Sequence, residues 1–177
     1  VRSLAHEYDQ ATAHNPGMRS YFLAGPTAAL AELGAGDQLA SMVESAVPIG
    51  NLGDVQVARA RGHLAGAVGS WSEASEHFGR AVALADPAGR VVDGTLARIE
   101  RARALRAAGA TDDVAALPGV GRLLDEARAA AQRMGAAKML GWIRDIDTRV
   151  VFVRQRSVVG GEDVAEERQL EATATLE

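Results

Sequence analysis

Residues 55–88 read VQVARARGHLAGAVGSWSEASEHFGRAVALADPA. Small and apolar residues recur in this stretch every three or four positions, which predicts two helices. Gly69 lies between them, since glycine readily adopts the positive φ that ends a helix. The run from Ser70 to Glu73 has the spacing of a capping box, in which the Ser hydroxyl and the Glu carboxylate bond free backbone N–H groups. Because Pro87 stops the second helix, the stretch predicts a helical hairpin.

The same periodicity continues on both sides of the hairpin and predicts an all-α chain. The predicted helices cover residues 1–13, 26–33, 37–46, 54–68, 71–85, 91–108, 122–134 and 137–148, with residues 17–25 as a linker and 110–120 as a loop. In this scheme Asp54 is the N-cap of its helix, and Val68 and Val92 face inward. Only residues 150–153 have β character, and a single strand cannot form a sheet.

The helical pattern extends to about residue 149, so we expect a helical domain over residues 1–149 and a tail over 150–177. The tail is expected to be disordered or a weak helix. From Gly161 onward it carries six acidic residues against Arg168, a net charge of −5. The chain begins at Val1 rather than Met and ends in a Leu-Glu pair that often precedes an affinity tag. We therefore expect it to be a piece of a larger protein.

Composition excludes several classes of function. Apolar residues make up 47% and charged residues 24%, the balance of a soluble globular domain. The sequence has no Cys, no pair of His at metal-ligand spacing and no P-loop motif, so we expect neither an enzyme nor a bound cofactor or metal. The net charge of −4 argues against direct nucleic-acid binding. The lack of a long apolar run or a signal peptide predicts a cytoplasmic location without membrane contact.

Six positions of the hairpin resemble the signature of a tetratricopeptide repeat. They are Gly62, Gly69, Trp71, Ala74, Phe78 and Ala81. Small residues let two helices approach closely, and an aromatic side chain fills the space towards the next pair. The resemblance implies a tetratricopeptide-like α-α superhelix of antiparallel helix pairs. One departure is Arg101, which stands where that repeat usually has an apolar residue.

The resemblance extends to a larger family. Residues 26–34, 59–81 and 97–109, and the run LLDEARAAA at 123–131, look like the helical C-terminal region of large actinobacterial ATP-binding regulators. In that family the array follows a nucleotide-binding switch domain and is joined to a LuxR-type helix-turn-helix or, in related proteins, to a cyclase domain. The resemblance covers about residues 15–148. It implies that this chain is the sensor or coupling region of a signal-responsive transcriptional regulator.

The resemblance also places candidate binding residues. In tetratricopeptide arrays the first helix of each pair lines a concave groove. The residues placed there are Gln56, Arg59 and His63 from one pair and Arg103 and Arg106 from the next. Such a groove would be basic and suited to an acidic peptide or a carboxylate ligand. The alternative is a solvated surface on which Glu100 pairs with Arg103 of the same helix.

We therefore expect a non-enzymatic module that binds a protein or peptide partner, or another domain of its parent chain. One alternative is a sensor that encloses a small-molecule inducer. Another is a structural spacer or a homodimerisation segment, with Trp71, Phe78 and Trp142 supplying apolar contact. The PGVG run at residues 118–121 could bind an anion before a helix, although such runs are far more often simple turns.

Overall fold

The computed structural model describes residues 2–13, 15–109 and 117–147, and these form helices and turns without a strand. The helices are α1 (Arg2–Thr12), a 3₁₀ helix (Pro16–Phe22), α2 (Ala24–Glu32), α3 (Gly36–Glu44), α4 (Gly50–Ala67), α5 (Trp71–Ala85), α6 (Val91–Gly109), α7 (Leu117–Arg133) and α8 (residues 137–147). The predicted all-α class is confirmed for this part of the chain. The expected tail over 150–177 lies outside the described residues.

Helices α4 and α5 form the predicted hairpin. Gly69 closes the turn between them with a φ of 81°. Gly66 lies against Trp71 near the turn, and Gly62 lies against Phe78 further away, so the two helices run antiparallel. A Cβ at position 62 would stand 2.5 Å from Phe78 Cε1, which makes glycine necessary for this close crossing.

The remaining hairpin positions also serve the packing. Ala74, Phe78 and Ala81 are buried, and Trp71 is half-buried beside them. Arg101 from α6 lays its guanidinium over Gly79 of α5, where a Cβ would stand 3.0 Å from the Arg101 Cζ atom. The missing side chain at Gly79 therefore explains how an arginine fits a position that the repeat pattern assigns to an apolar residue.

Apolar side chains form separate clusters along the chain. The cluster under α2, α3 and α4 contains Leu23, Leu30, Leu39, Met42, Val43 and Val57, with Tyr8 from α1. The cluster between α6, α7 and α8 contains Ile99, Val120, Leu123, Leu124, Ile143 and Ile146. Two smaller clusters between them join α5 to its neighbours. Helices that follow one another in sequence are therefore neighbours in space.

Helices α4 and α7 begin four and five residues earlier than their sequence signals indicate. Helix α4 begins at Gly50, so Asp54 lies inside the helix and is not its N-cap. The preceding Ile49 is extended, and its N–H bonds Ser20 Oγ at 3.3 Å, so a tertiary contact determines this boundary. Helix α7 begins at Leu117, which places residues 118–121 in its first turns and not in a loop. Proline is tolerated there because the first turn needs no N–H from it.

Other local predictions also need correction. The predicted linker contains the 3₁₀ helix, and α2 begins at Ala24, two residues before Pro26. Ser70 occupies the N-cap of α5, but its side chain makes no capping hydrogen bond, so the predicted capping box is absent. Val68 is 69% exposed because it lies at the hairpin turn, and Val92 is 51% exposed in the first turn of α6. Neither faces inward as predicted.

None of the described helices combines the length and hydropathy that a membrane crossing requires.

Candidate functional site

The first part of the site is a polar row on α4. Gln56, Arg59 and His63 are three and four residues apart, so they lie on one face of the helix. This face meets α6. Gln56 Nε2 donates a hydrogen bond to Asp93 Oδ1 at 2.7 Å. His63 Nε2 lies 3.3 Å from Glu100 Oε1.

Arg59 makes the strongest contact of this row. Its Nε and Nη2 donate to the two carboxylate oxygens of Glu100 at 2.9 and 2.6 Å. Its Nη1 lies 3.6 Å from Asp93 Oδ1. The two-pronged geometry matches a planar guanidinium to a planar carboxylate, which is the strong form of this ion pair. One arginine thus binds both carboxylates that α6 presents to α4.

Burial and charge act in opposite directions on these groups. Arg59 is 6% exposed as a whole residue, and the side chain of Glu100 is 11% exposed. Burial alone would raise the pKa of Glu100, but the hydrogen bonds and charge of Arg59, with a contribution from His63, lower this pKa to about 2. Burial would likewise lower the pKa of Arg59, and the contacts with Glu100 and Asp93 more than offset that effect, so the pKa is raised. Both groups remain charged at neutral pH.

This arrangement corrects the expectation of a basic groove at α4. Gln56 and Arg59 are buried, and the charge of Arg59 is neutralised by Glu100 and Asp93. Glu100 pairs with Arg59 and His63 of α4, and no ion pair with Arg103 is among its contacts. The α4 residues therefore join two helices and do not present free charge to a ligand.

The second part of the site lies where α6 meets α8. The Arg103 guanidinium carbon lies 5.9 Å from the centroid of the Trp142 ring, and Lys138 Nζ lies 5.3 Å from it. Lys138 and Trp142 are four residues apart on α8, so they share one face of that helix. Trp142 is half-buried, and both cations are exposed. We call Arg103, Lys138 and Trp142 the α6–α8 patch.

Contacts beneath the patch fix its geometry. Arg106, one turn after Arg103, donates from Nη1 to the carbonyl oxygen of Ile146 at 2.9 Å, which holds α8 against α6. Ile143, next to Trp142 in sequence, is 1% exposed in the cluster between α6, α7 and α8. The indole ring packs against the edge of this same cluster, so the contacts of Ile143 also hold the ring in place. A rigid aromatic surface loses little conformational freedom when a ligand binds.

The charges of the patch are open to a ligand. Within the part of the chain that the structure describes, Arg103 and Lys138 contact Trp142 and form no ion pair. The carboxylate nearest in sequence on α8 is Asp145, one turn beyond Trp142. Two cations beside one aromatic ring can hold a carboxylate and an adjacent apolar group together. Of the five predicted groove residues, Arg103 retains a charge suited to that role.

A cleft of about 410 Å³ lies between α6 and α7, with Arg90, Arg98 and Arg133 in its walls. Arg98 bonds Asp86 through both carboxylate oxygens at 3.0 and 2.6 Å and Glu126 at 2.9 Å. The central guanidinium of the cleft is therefore already occupied by two carboxylates. This makes the cleft a weaker anion site than the α6–α8 patch.

The described side chains do not include a cluster suited to binding a metal ion. No group of three His, Asp or Glu residues there is placed to hold a metal ion. His6 contacts Gln10 at 2.9 Å, and His77 lies 3.7 Å from Glu73 on the same helix. Both pairs are one helical turn apart and belong to the surfaces of α1 and α5.

Comparison of the chain with models of protein families, with curated proteins and with solved structures gave no match.

The sequence predicted the α4 side of this site but not the residues of α6 that face it or the residues of α8 beside Arg103. The prediction selected the α4 residues, did not select Asp93, and named Glu100 only as a partner of Arg103. Asp93 and Glu100 lie seven residues apart on α6. Gln56 and His63 are also seven residues apart on α4. The signal that could have found both sides was therefore the same seven-residue spacing of donor side chains on α4 and of carboxylates on α6. Trp142 was selected only as an apolar contact of a dimer and Lys138 was not selected, because nothing local indicates that α8 packs beside Arg103.

Proposed function

We propose that this chain is a non-enzymatic helical interaction module that binds an acidic segment of a protein partner, or of a neighbouring domain, at the α6–α8 patch. The observation that carries the proposal is that Arg103 and Lys138 both lie near the Trp142 ring, at 5.9 and 5.3 Å from its centroid. An aromatic ring flanked by two unpaired cations favours a segment with carboxylates next to an apolar side chain.

The order of the helices supports the interpretation of this surface as part of a tetratricopeptide-like array. Helices α4, α6 and α8 would be the first members of successive pairs, because side chains of α6 reach both α4 and α8. In such an array they would line the concave face. Between α4 and α6 the charged groups of that face are already paired with one another, so the partner would bind at the α8 end of the face. The resemblance to signal-responsive regulators makes coupling to another domain the biological role that we propose.

The charge state of the face explains why the partner should be acidic. Between α4 and α6, Arg59 is balanced by Glu100 and Asp93. Between α6 and α8, Arg103 and Lys138 have no such balance among the described residues. A carboxylate would gain two charge-assisted contacts there without breaking an existing ion pair. A cationic or neutral segment would not.

Fluorescence anisotropy with a labelled peptide of alternating Glu and Leu residues tests the proposal. A peptide with Gln in place of Glu is the uncharged comparison. We expect the Glu peptide to bind more tightly, and its affinity to fall as salt is added, because exposed charges are screened. Replacing Arg103→Gln and Lys138→Gln together should weaken its binding at least about tenfold, since two charge-assisted contacts are lost.

A matched variant controls for the loss of net charge. Arg80 on α5 and Arg122 on α7 are exposed, so Arg80→Gln with Arg122→Gln removes the same charge elsewhere. That variant should bind the Glu peptide as the native chain does. Equal binding of the Glu and Gln peptides, or an equal loss in both variants, would contradict the proposal.

A further inference from the structure

The chain carries an acidic segment of its own beyond the described helices. Residues 161–177 contain six of the 23 acidic residues and only Arg168 as a base. Because the whole chain has a net charge of −4, residues 1–160 carry +1 and the segment carries −5. Val164 and Leu170 stand among the carboxylates. This is the composition that the α6–α8 patch is suited to bind. We call residues 161–177 the acidic segment.

We infer that the acidic segment occupies the α6–α8 patch of its own chain and competes there with a partner. The inference rests on the proposed function, because it assigns an occupant to the same patch. Trp142 would contact the apolar side chains of the segment, and Arg103 and Lys138 would bind its carboxylates. An acidic partner would then bind only by displacing the segment.

The connection is long enough for this return. The patch lies on α8, which is described to residue 147, and thirteen residues, 148–160, separate that point from the acidic segment. Thirteen residues can span up to about 43 Å when extended. Helix α8 itself has eleven residues, so its whole length is only about 16 Å. The segment can therefore reach any point along α8.

Charge complementarity is local as well as overall. Arg103 and Lys138 lie in the patch and Arg106 beside it. Helix α8 carries the carboxylates of Asp145 and Asp147, of which Asp147 is already paired with Arg128. Covalent connection adds to this attraction, because a short tether holds the segment at an effective concentration of about 1 mM. A segment with a dissociation constant of about 0.1 mM for the patch would occupy it roughly nine-tenths of the time.

The test compares two full-length chains that differ only in the charge of the acidic segment. In the neutral-tail chain, the six carboxylates become amides: Glu162→Gln, Asp163→Asn, Glu166→Gln, Glu167→Gln, Glu171→Gln and Glu177→Gln. The probe is a labelled synthetic peptide with the sequence of residues 161–177, followed by anisotropy. We expect it to bind the neutral-tail chain about tenfold more tightly than the native chain, because no internal competitor remains.

Two further variants make the result specific. In the neutral-tail chain, Arg103→Gln with Lys138→Gln should abolish the gain in affinity. In the native chain, Thr173→Gln with Thr175→Gln changes the segment without changing its charge and should leave the probe's affinity as it was. The labelled Glu and Leu peptide is measured on the same chains.

The outcomes separate this inference from the proposed function. If both peptides bind the native and neutral-tail chains equally, internal docking is overturned and partner binding stands. If the Glu and Leu peptide binds and the 161–177 peptide does not, internal docking is again overturned. If neither peptide binds the neutral-tail chain, the proposed function fails and the inference fails with it.

Discussion

Glu100 keeps a negative charge in a place that excludes most water. It can do so because Arg59 bonds both of its carboxylate oxygens and His63 lies beside one of them. Removing one partner of a buried pair leaves the other charge uncompensated, which typically costs about 3–5 kcal/mol. The pair therefore fixes the register of α4 against α6. Its contribution to stability is seen most clearly when one member is removed.

The acid dependence of stability should report the protonation of Glu100. Its pKa is lowered from 4.5 to about 2 in the fold, so the contribution is complete above about pH 4.5 and is lost as the pH falls towards 2. The shift corresponds to about 3 kcal/mol of unfolding free energy. Urea unfolding at pH 7 and pH 3 should show a larger loss in the native chain than in Glu100→Gln.

The comparison needs a control, because other carboxylates also titrate in that range. Glu76 on α5 is exposed and has no ion pair among the described residues. Glu76→Gln should therefore show the native acid dependence. If Glu100→Gln loses as much stability between pH 7 and pH 3 as the native chain does, Glu100 is not the group responsible.

At the scale of elements, the α4–α5 hairpin depends on small residues where the helices cross. The Phe78 ring occupies the position that a side chain at residue 62 would take, and the Arg101 guanidinium occupies the corresponding position at residue 79. Helix α5 therefore contacts α4 through an aromatic ring and α6 through the flat face of a guanidinium. The hairpin sets the distance between α4 and α6, and this distance lets Arg59 of α4 reach Glu100 of α6.

Gly62→Ala should destabilise the protein, because its Cβ would stand 2.5–2.7 Å from three atoms of the Phe78 ring. Overpacking of this kind costs about 1–3 kcal/mol. Gly25 in α2 has no atom within 4 Å of its Cβ position, so Gly25→Ala should be neutral or stabilising by up to about 1 kcal/mol. Urea midpoints of the two variants check this. A Gly62→Ala chain as stable as Gly25→Ala would mean that the ring moves freely aside.

The whole molecule has a core that is divided along the chain. The cluster under α2–α4 and the cluster between α6 and α8 share no residue, and the smaller clusters around α5 lie between them. Proteins built from stacked helical units approximate a row of neighbouring interactions. Damage at one end should then loosen that end first.

Hydrogen exchange can test this division. Ile143→Ala in the α6–α8 cluster should speed amide exchange in α7 and α8 more than in α2–α4, and Leu30→Ala should do the reverse. Both side chains are fully buried, so each truncation costs about 2–5 kcal/mol. Equal acceleration in all helices of both variants would indicate one indivisible core.

The sequence predicted the helices well and their partners poorly. Periodicity and glycines such as Gly69 are local signals, and they located most of the helices. The start of α4 was missed because the contact of Ile49 with Ser20 joins residues 29 positions apart. The same limit applies to the site. The resemblance placed Arg59 and Arg103 in a groove, but it did not indicate that Glu100 and Trp142 are their neighbours in space.

The separation of Arg59 from Glu100 also has a consequence in time. The two residues are 41 positions apart. At the rate of protein synthesis, about 5–20 residues per second, Glu100 is made roughly 2–8 s after Arg59. The α4–α5 hairpin is complete in sequence before that moment, and Ala104 of α6 then joins the cluster that contains Phe78. During synthesis Arg59 therefore has neither of its carboxylate partners until α6 is made, and its pairing marks the arrival of α6.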